Sequence, residues 1–218
     1  MDLVILLDEA NLGRLRTAMA DLEATTIAVP ELDAELLAKG HAVHFRCQRP
    51  DVAGLRIDVM SRMRGVDPFD LLWERRTTVE VDGELVDLLS LPDLVGAKKT
   101  QRDKDWPMIR RLLERSVYSS EGTPTAEAVR FWLLELQSPE LLIDLVRRFP
   151  EDAAACSRAA VRAAETGDAD AVEAALEQEQ RAERAADREY WTPLRRELEM
   201  LRRERRSSET ESPPGPRT

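Results

Sequence analysis

Gly54-Leu55-Arg56-Ile57-Asp58-Val59-Met60-Ser61 sets Leu55, Ile57 and Val59 on one side of an extended chain and Arg56, Asp58 and Met60 on the other, the period-two pattern of a strand with one covered face. An aspartate in the middle of a strand is disfavoured and costs free energy if it is buried without a partner. Two readings of Asp58 follow. Either its face is solvated or it pairs with Arg56 or Arg62, or it is a metal-binding carboxylate at the end of a sheet.

Upstream, the apolar run Leu3-Val4-Ile5-Leu6-Leu7, closed by Asp8 and Glu9, predicts a fully buried strand. It is too short and lacks the preceding positive charge for a signal core or a membrane span. Asp2 stands just before it. Two carboxylates on adjacent strands, facing one side, can hold a hard divalent cation such as Mg²⁺ or Mn²⁺, the ion that phosphoryl transfer uses to gather phosphate oxygens. From Asp8, the spacing of Leu12, Leu15, Met19 and Leu22 predicts a helix with Asp8 as its cap. Pro30 and Gly40 bracket a second, over 31–39.

Residues 41–47 read as another extended segment. His41 and His44 are three apart there, so they point to opposite faces and read as structural or surface residues. Pro68 opens a helical turn or two over 67–73. Asp82-Gly83 is a two-residue hairpin turn between strands at 77–81 and 85–89. Ser90, Pro92 and Asp93 start a helix reaching about residue 99, and another is expected over 102–118. The strands end there. Helices are expected at 124–137, 139–149, 151–166 and 169–206, the last laced with Glu and Arg three or four apart. Residues 207–218, with Pro213, Pro214 and Pro216, read as a disordered tail. The fold class is therefore α+β: a mixed sheet flanked by helices over 1–118, then an all-helical region over 119–206.

The 218 residues carry 32 basic and 42 acidic side chains, a formal charge of −10. A surface of that sign repels polyanions as a whole, so nucleic-acid binding requires a local basic patch. Cys47 and Cys156 lack metal-ligand spacing, and a disulfide framework is not indicated. Ser61 has no histidine near it in sequence and no nucleophile elbow around it. The aromatic residues Trp106, Trp132, Trp191 and Phe131 lie on helical stripes and read as core. A cytoplasmic protein is expected, with no membrane partner.

One basic cluster stands out in the run Asp93-Leu94-Val95-Gly96-Ala97-Lys98-Lys99-Thr100-Gln101-Arg102-Asp103-Lys104-Asp105. Lys98 shares the inward stripe of Leu94 and Val95, so it must snorkel outward or meet an anion. Arg102 and Lys104 lie just beyond. This cluster suits a nucleoside triphosphate or an RNA backbone, or it serves to neutralise Asp58 and Asp105.

Taken in order, Asp2 before Leu3-Val4-Ile5, then Leu55-Arg56-Ile57-Asp58-Val59, Asp93-Leu94-Val95-Gly96-Ala97-Lys98 and Arg102-Asp103-Lys104-Asp105, the chain resembles the minimal nucleotidyltransferases of the DNA polymerase β-like superfamily. Within it, the abortive-infection toxin nucleotidyltransferases of type AbiEii are the nearest group. Their pattern is T-x-D-x-D leading into a hydrophobic strand, a later strand with one Asp, then D-L-(I/V)-x-x-K and R-x-K-D, and the likeness spans roughly residues 1–117. The resemblance implies a metal pair in which Asp2 is the second carboxylate and Asp58 the third, the latter also activating the attacking hydroxyl. It places Lys98 at the cleft and Arg102, Lys104 and Asp105 at the start of the closing helix. The pattern's first carboxylate falls two positions ahead of Asp2, so the likeness is to a domain truncated at its N-terminus. With a full site, the implied activity is transfer of a nucleoside monophosphate from an NTP to a hydroxyl on an RNA, a protein or a small molecule. The implied setting is bacterial phage defence or a toxin–antitoxin system with a cognate antitoxin. The alternative is a catalytically inactive protein of the same fold that serves as an interaction partner.

Overall fold

In the computed structural model, which describes residues 1–120 and 122–211, the chain is α+β and falls into two compact units. Unit 1 is Met1–Arg75 together with the chain from Glu189 onward, and unit 2 is Arg76–Arg188. No helix among the described residues is long and apolar enough to cross a membrane.

Unit 1 is built on a four-stranded sheet of β1 (Asp2–Val4), β2 (Thr25–Thr26), β3 (Val43–Arg46) and β4 (Arg56–Met60), in the order β1-β4-β3-β2. β1 runs parallel to β4, and the other neighbours are antiparallel. Alternation sends Val43, Phe45, Ile57 and Val59 to one face, where they are buried with Leu12, Leu15 and Met19 of α1 (Glu9–Asp21) and Leu37 of α2 (Ala34–Lys39). His44, Arg46, Arg56, Asp58 and Met60 are left on the opposite face. The Asp8 carboxylate caps α1 by accepting from Asn11 N at 2.7 Å, and Asp33 caps α2. α3 (Phe69–Glu74) follows the sheet.

The expected buried strand over 3–7 is instead three residues long and half-buried. β1 is an edge strand with a single neighbour, so its pairing stops soon after Ile5 N donates to Met60 O. Leu3, Ile5 and Leu7 still pack against the core from one side.

In unit 2 the hairpin β5 (Thr77–Val81) and β6 (Glu84–Leu88) turns on Asp82 and Gly83, whose φ values of 53° and 84° are the two positive angles a two-residue turn of this hand requires. The helices are α4 (Leu91–Lys98), α5 (Asp105–Tyr118), α6 (Ala126–Glu135), α7 (Pro139–Arg148), α8 (Pro150–Ala155), α9 (Ala159–Ala164) and α10 (Ala169–Glu211). One core joins Val95, Trp106, Ile109 and Leu113 to Trp132, Leu142, Leu145, Val161 and Leu176. The boundary expected after Tyr118 thus falls inside unit 2, between two helices that share this core.

Three helical expectations are corrected. The helix expected over 102–118 begins at Asp105, because Thr100, Arg102 and Asp105 are hydrogen-bonded into a turn ahead of it. The single helix expected over 151–166 is two, α8 and α9, separated by an extended Cys156. Arg158, at that break, donates to Leu133 O at 3.0 Å and Leu136 O at 2.9 Å, closing the end of α6. α10 continues to Glu211, past the expected end at 206, and the rest of the expected tail, 212–218, lies outside the described residues.

Candidate functional site

The parallel register of β1 on β4 sets Asp2 opposite Asp58, Leu3 opposite Val59 and Val4 opposite Met60. Leu3 and Val59 both face the core, so the two aspartates share the outer face of the sheet. On the other side of β4, antiparallel β3 sets His44 opposite Asp58 and Arg46 opposite Arg56. Asp58 is therefore central in a polar row.

Asp58 Oδ1 accepts from Arg56 Nε at 2.7 Å and lies 2.8 Å from His44 Nδ1. An Arg56 terminal nitrogen also sits 3.2 Å from His44 Nδ1. That ring nitrogen cannot both donate to the carboxylate and accept from the guanidinium. The shorter contact to a charged oxygen is the hydrogen bond, with Nδ1 protonated. Partial burial pushes the Asp58 carboxyl upward. The hydrogen bonds and charges of Arg56 and His44 outweigh it and hold the carboxyl below the ordinary aspartate value. Arg56 is held above its ordinary value, first by its hydrogen bond to Asp58 and then by that charge, and the charge of Asp2 acts on it in the same direction.

The chemistry of Asp2 and Asp58 fits a hard divalent cation in kind, since both offer carboxylate oxygens from neighbouring strands. It fits incompletely in number: among the described residues no three Asp, Glu, His or Cys side chains are grouped to hold a metal. A cation would also compete with the guanidinium at Oδ1. Of the two readings that the strand left open, pairing with Arg56 is the one observed, and it does not exclude a ligand role.

Lys98, Arg102 and Lys104 belong to unit 2. Arg102 Nε donates to the buried Asp105 carboxylate at 2.8 Å, and Thr100 Oγ1 donates to the same oxygen at 2.5 Å. Trp106 Nε1 donates to Thr100 O at 2.9 Å. Arg102 is thus built into the start of α5 next to Asp105. Lys104 is exposed immediately before α5, and Lys98 is the half-buried last residue of α4. Ser90 caps α4, its Oγ accepting from Asp93 N at 3.3 Å and donating to Asp93 Oδ2 at 2.5 Å.

The two histidines, expected to be structural or surface residues, are both engaged. His44 joins Asp58. His41 is fully buried and bonds Glu197 Oε2 through Nε2 at 2.8 Å, across 156 positions of sequence. Lys39 Nζ reaches the other oxygen of Glu197 at 2.5 Å. The signal for His44 was present: alternation puts it on the outer face of β3, and the antiparallel register brings it to Asp58. Nothing local pointed to Glu197 as the partner of His41.

No protein-family model, curated protein or solved structure matches this chain.

Proposed function

We propose that this chain is a nucleotidyltransferase-fold protein whose outer sheet face holds a divalent cation between Asp2 and Asp58. The activity is transfer of a nucleoside monophosphate from an NTP to a hydroxyl, on an RNA, protein or small-molecule acceptor. The observation that supports it is the register of β1 on β4, which sets the two carboxylates side by side on one face. A bound Mg²⁺ or Mn²⁺ would gather phosphate oxygens and offset the charge that develops on them. Asp58 has a second role in this reading: its carboxylate, kept ionised by Arg56 and His44, accepts the proton of the attacking hydroxyl. The resemblance asks for a further carboxylate beside Asp2 and Asp58, and turnover in this reading requires one. Phage defence or a toxin–antitoxin pairing in a bacterial cytoplasm, with a cognate antitoxin as partner, belongs to the same proposal and rests on the resemblance.

A second reading has its own observation. Asp58 Oδ1 is already shared by Arg56 and His44, an arrangement that holds a sheet face together without a metal. In that case the domain is a non-catalytic interaction module.

Titration calorimetry with Mn²⁺, alone and with an NTP, separates the two. A ligand role predicts measurable binding that Asp58→Asn abolishes and Arg56→Ala strengthens, because the competing guanidinium is gone. Absence of binding by both wild type and Arg56→Ala leaves the second reading.

A further inference from the structure

The hairpin β5–β6 is a sheet of two strands, and no further strand pairs with either of its edges among the described residues. None of its residues enters the core of unit 2. A two-stranded hairpin is marginal by itself, and stability comes with a third strand or a covered apolar face. The register sorts its side chains into two faces. One carries Val79, Val81, Val86 and Leu88 together with Thr77 and Glu84, and of these Val81 is 51% and Leu88 48% exposed. The other carries Thr78, Glu80 and Asp87, with Leu85 at 75% exposure. Asp82 and Glu84 mark the tip. Asp87 is bonded by Thr78 Oγ1 at 2.6 Å and Arg76 Nε at 3.0 Å. No hydrogen bond or ion pair engages the carboxylates of Glu80, Asp82 or Glu84 among the described residues, and all three are exposed.

We propose that this hairpin accepts a third β-strand from another protein, a segment alternating aliphatic residues with Lys or Arg. Main-chain pairing along a free edge supplies the affinity, and the two faces supply the selection. The aliphatic side chains of such a strand extend the row of Val79, Val81, Val86 and Leu88. Its cations stand on the face of Glu80 and Asp87. A second copy of the hairpin is the wrong occupant, because it would set acids against acids, and like charges across a strand pair destabilise it. The net charge of −10 favours encounter with a basic partner in the same way.

The test uses the full chain and three synthetic peptides: one alternating Val and Arg, one alternating Val and Glu, and one with the composition of the first but a central proline. Backbone amide shifts and hydrogen-exchange protection are followed by NMR. The Val-Arg peptide is expected to bind and to protect amides within 76–89, with at least about tenfold weaker binding to Glu80→Lys. The Val-Glu and proline peptides are expected not to bind, since the first meets like charge and the second cannot pair as a central strand. Three outcomes overturn the proposal. One is absence of Val-Arg binding, a second is protection located outside the hairpin, and the third is equal binding of the proline peptide, which would reduce the effect to charge alone.

Discussion

Glu197 takes one donor on each oxygen, Lys39 on Oε1 and the buried His41 on Oε2. The hydrogen bond from His41, then that from Lys39, holds its carboxyl below the ordinary value of 4.5. A depressed carboxylate stabilises the fold at pH above its unfolded value, and that contribution is lost as pH falls through the lower folded value. Stability of the wild type should therefore decline below about pH 4.5, and part of that decline should vanish in Glu197→Ala. The two donors are unequal. Removing Glu197 leaves the His41 Nε2 proton buried without an acceptor, a cost of about 1–3 kcal/mol, whereas the Lys39 ammonium is exposed and returns to water. Chemical denaturation should rank Glu197→Ala well below Lys39→Ala at neutral pH. Equal costs would show that the buried imidazole does not depend on this carboxylate. No hydrogen bond reaches His41 Nδ1 among the described residues, so Nε2 is the ring's one polar anchor.

At the level of elements, Arg158 holds three things at once. Its guanidinium, only 8% exposed, bonds two carbonyls at the end of α6 and the carboxylate of Glu179 on α10. Arg158→Ala leaves the carbonyls of Leu133 and Leu136 and the carboxylate of Glu179 without this partner, a loss of about 2–4 kcal/mol. Arg158→Lys should recover only part of it, because an ammonium lacks the planar fork. Urea titration of the three proteins checks this, and a full rescue by Lys would mean that charge alone matters. The same residue explains where sequence reading fell short. Where a signal is local it was legible. Asp82-Gly83 turns the hairpin, Asp8 caps α1, Ser90 caps α4, and the alternation about Asp58 gives β4. The break between α8 and α9 was not, because Ala-rich stretches stand on both sides of Cys156-Ser157 and the carbonyls that Arg158 engages there lie more than twenty residues upstream. The candidate site divides in the same way. The pairing of Asp2 with Asp58 followed from two strands, but the service of Arg102 to Asp105 depends on a turn whose hydrogen bonds leave no periodic trace.

For the molecule as a whole, the two cores share no residue: Ile57 belongs to one and Leu142 to the other, and both are essentially inaccessible. Truncating either to alanine removes buried methyl groups and leaves a void, at about 2–5 kcal/mol each. In the double variant the costs should add to within about 0.5 kcal/mol, as for sites without common neighbours. Denaturant unfolding of the singles and the double measures the coupling, and a discrepancy above about 1 kcal/mol would argue against separate cores.

Unit 1 is assembled from the first and last stretches of the polypeptide, and this orders events on a ribosome. After Arg75 emerges, the whole of Arg76–Arg188 must be translated before Glu197 exists, a delay on the order of ten seconds. During it the nascent sheet waits with His41 unmatched. The codons for Arg76–Arg188 encode a body that can finish first, and those ahead of them encode one that matures only once Glu197 has been translated.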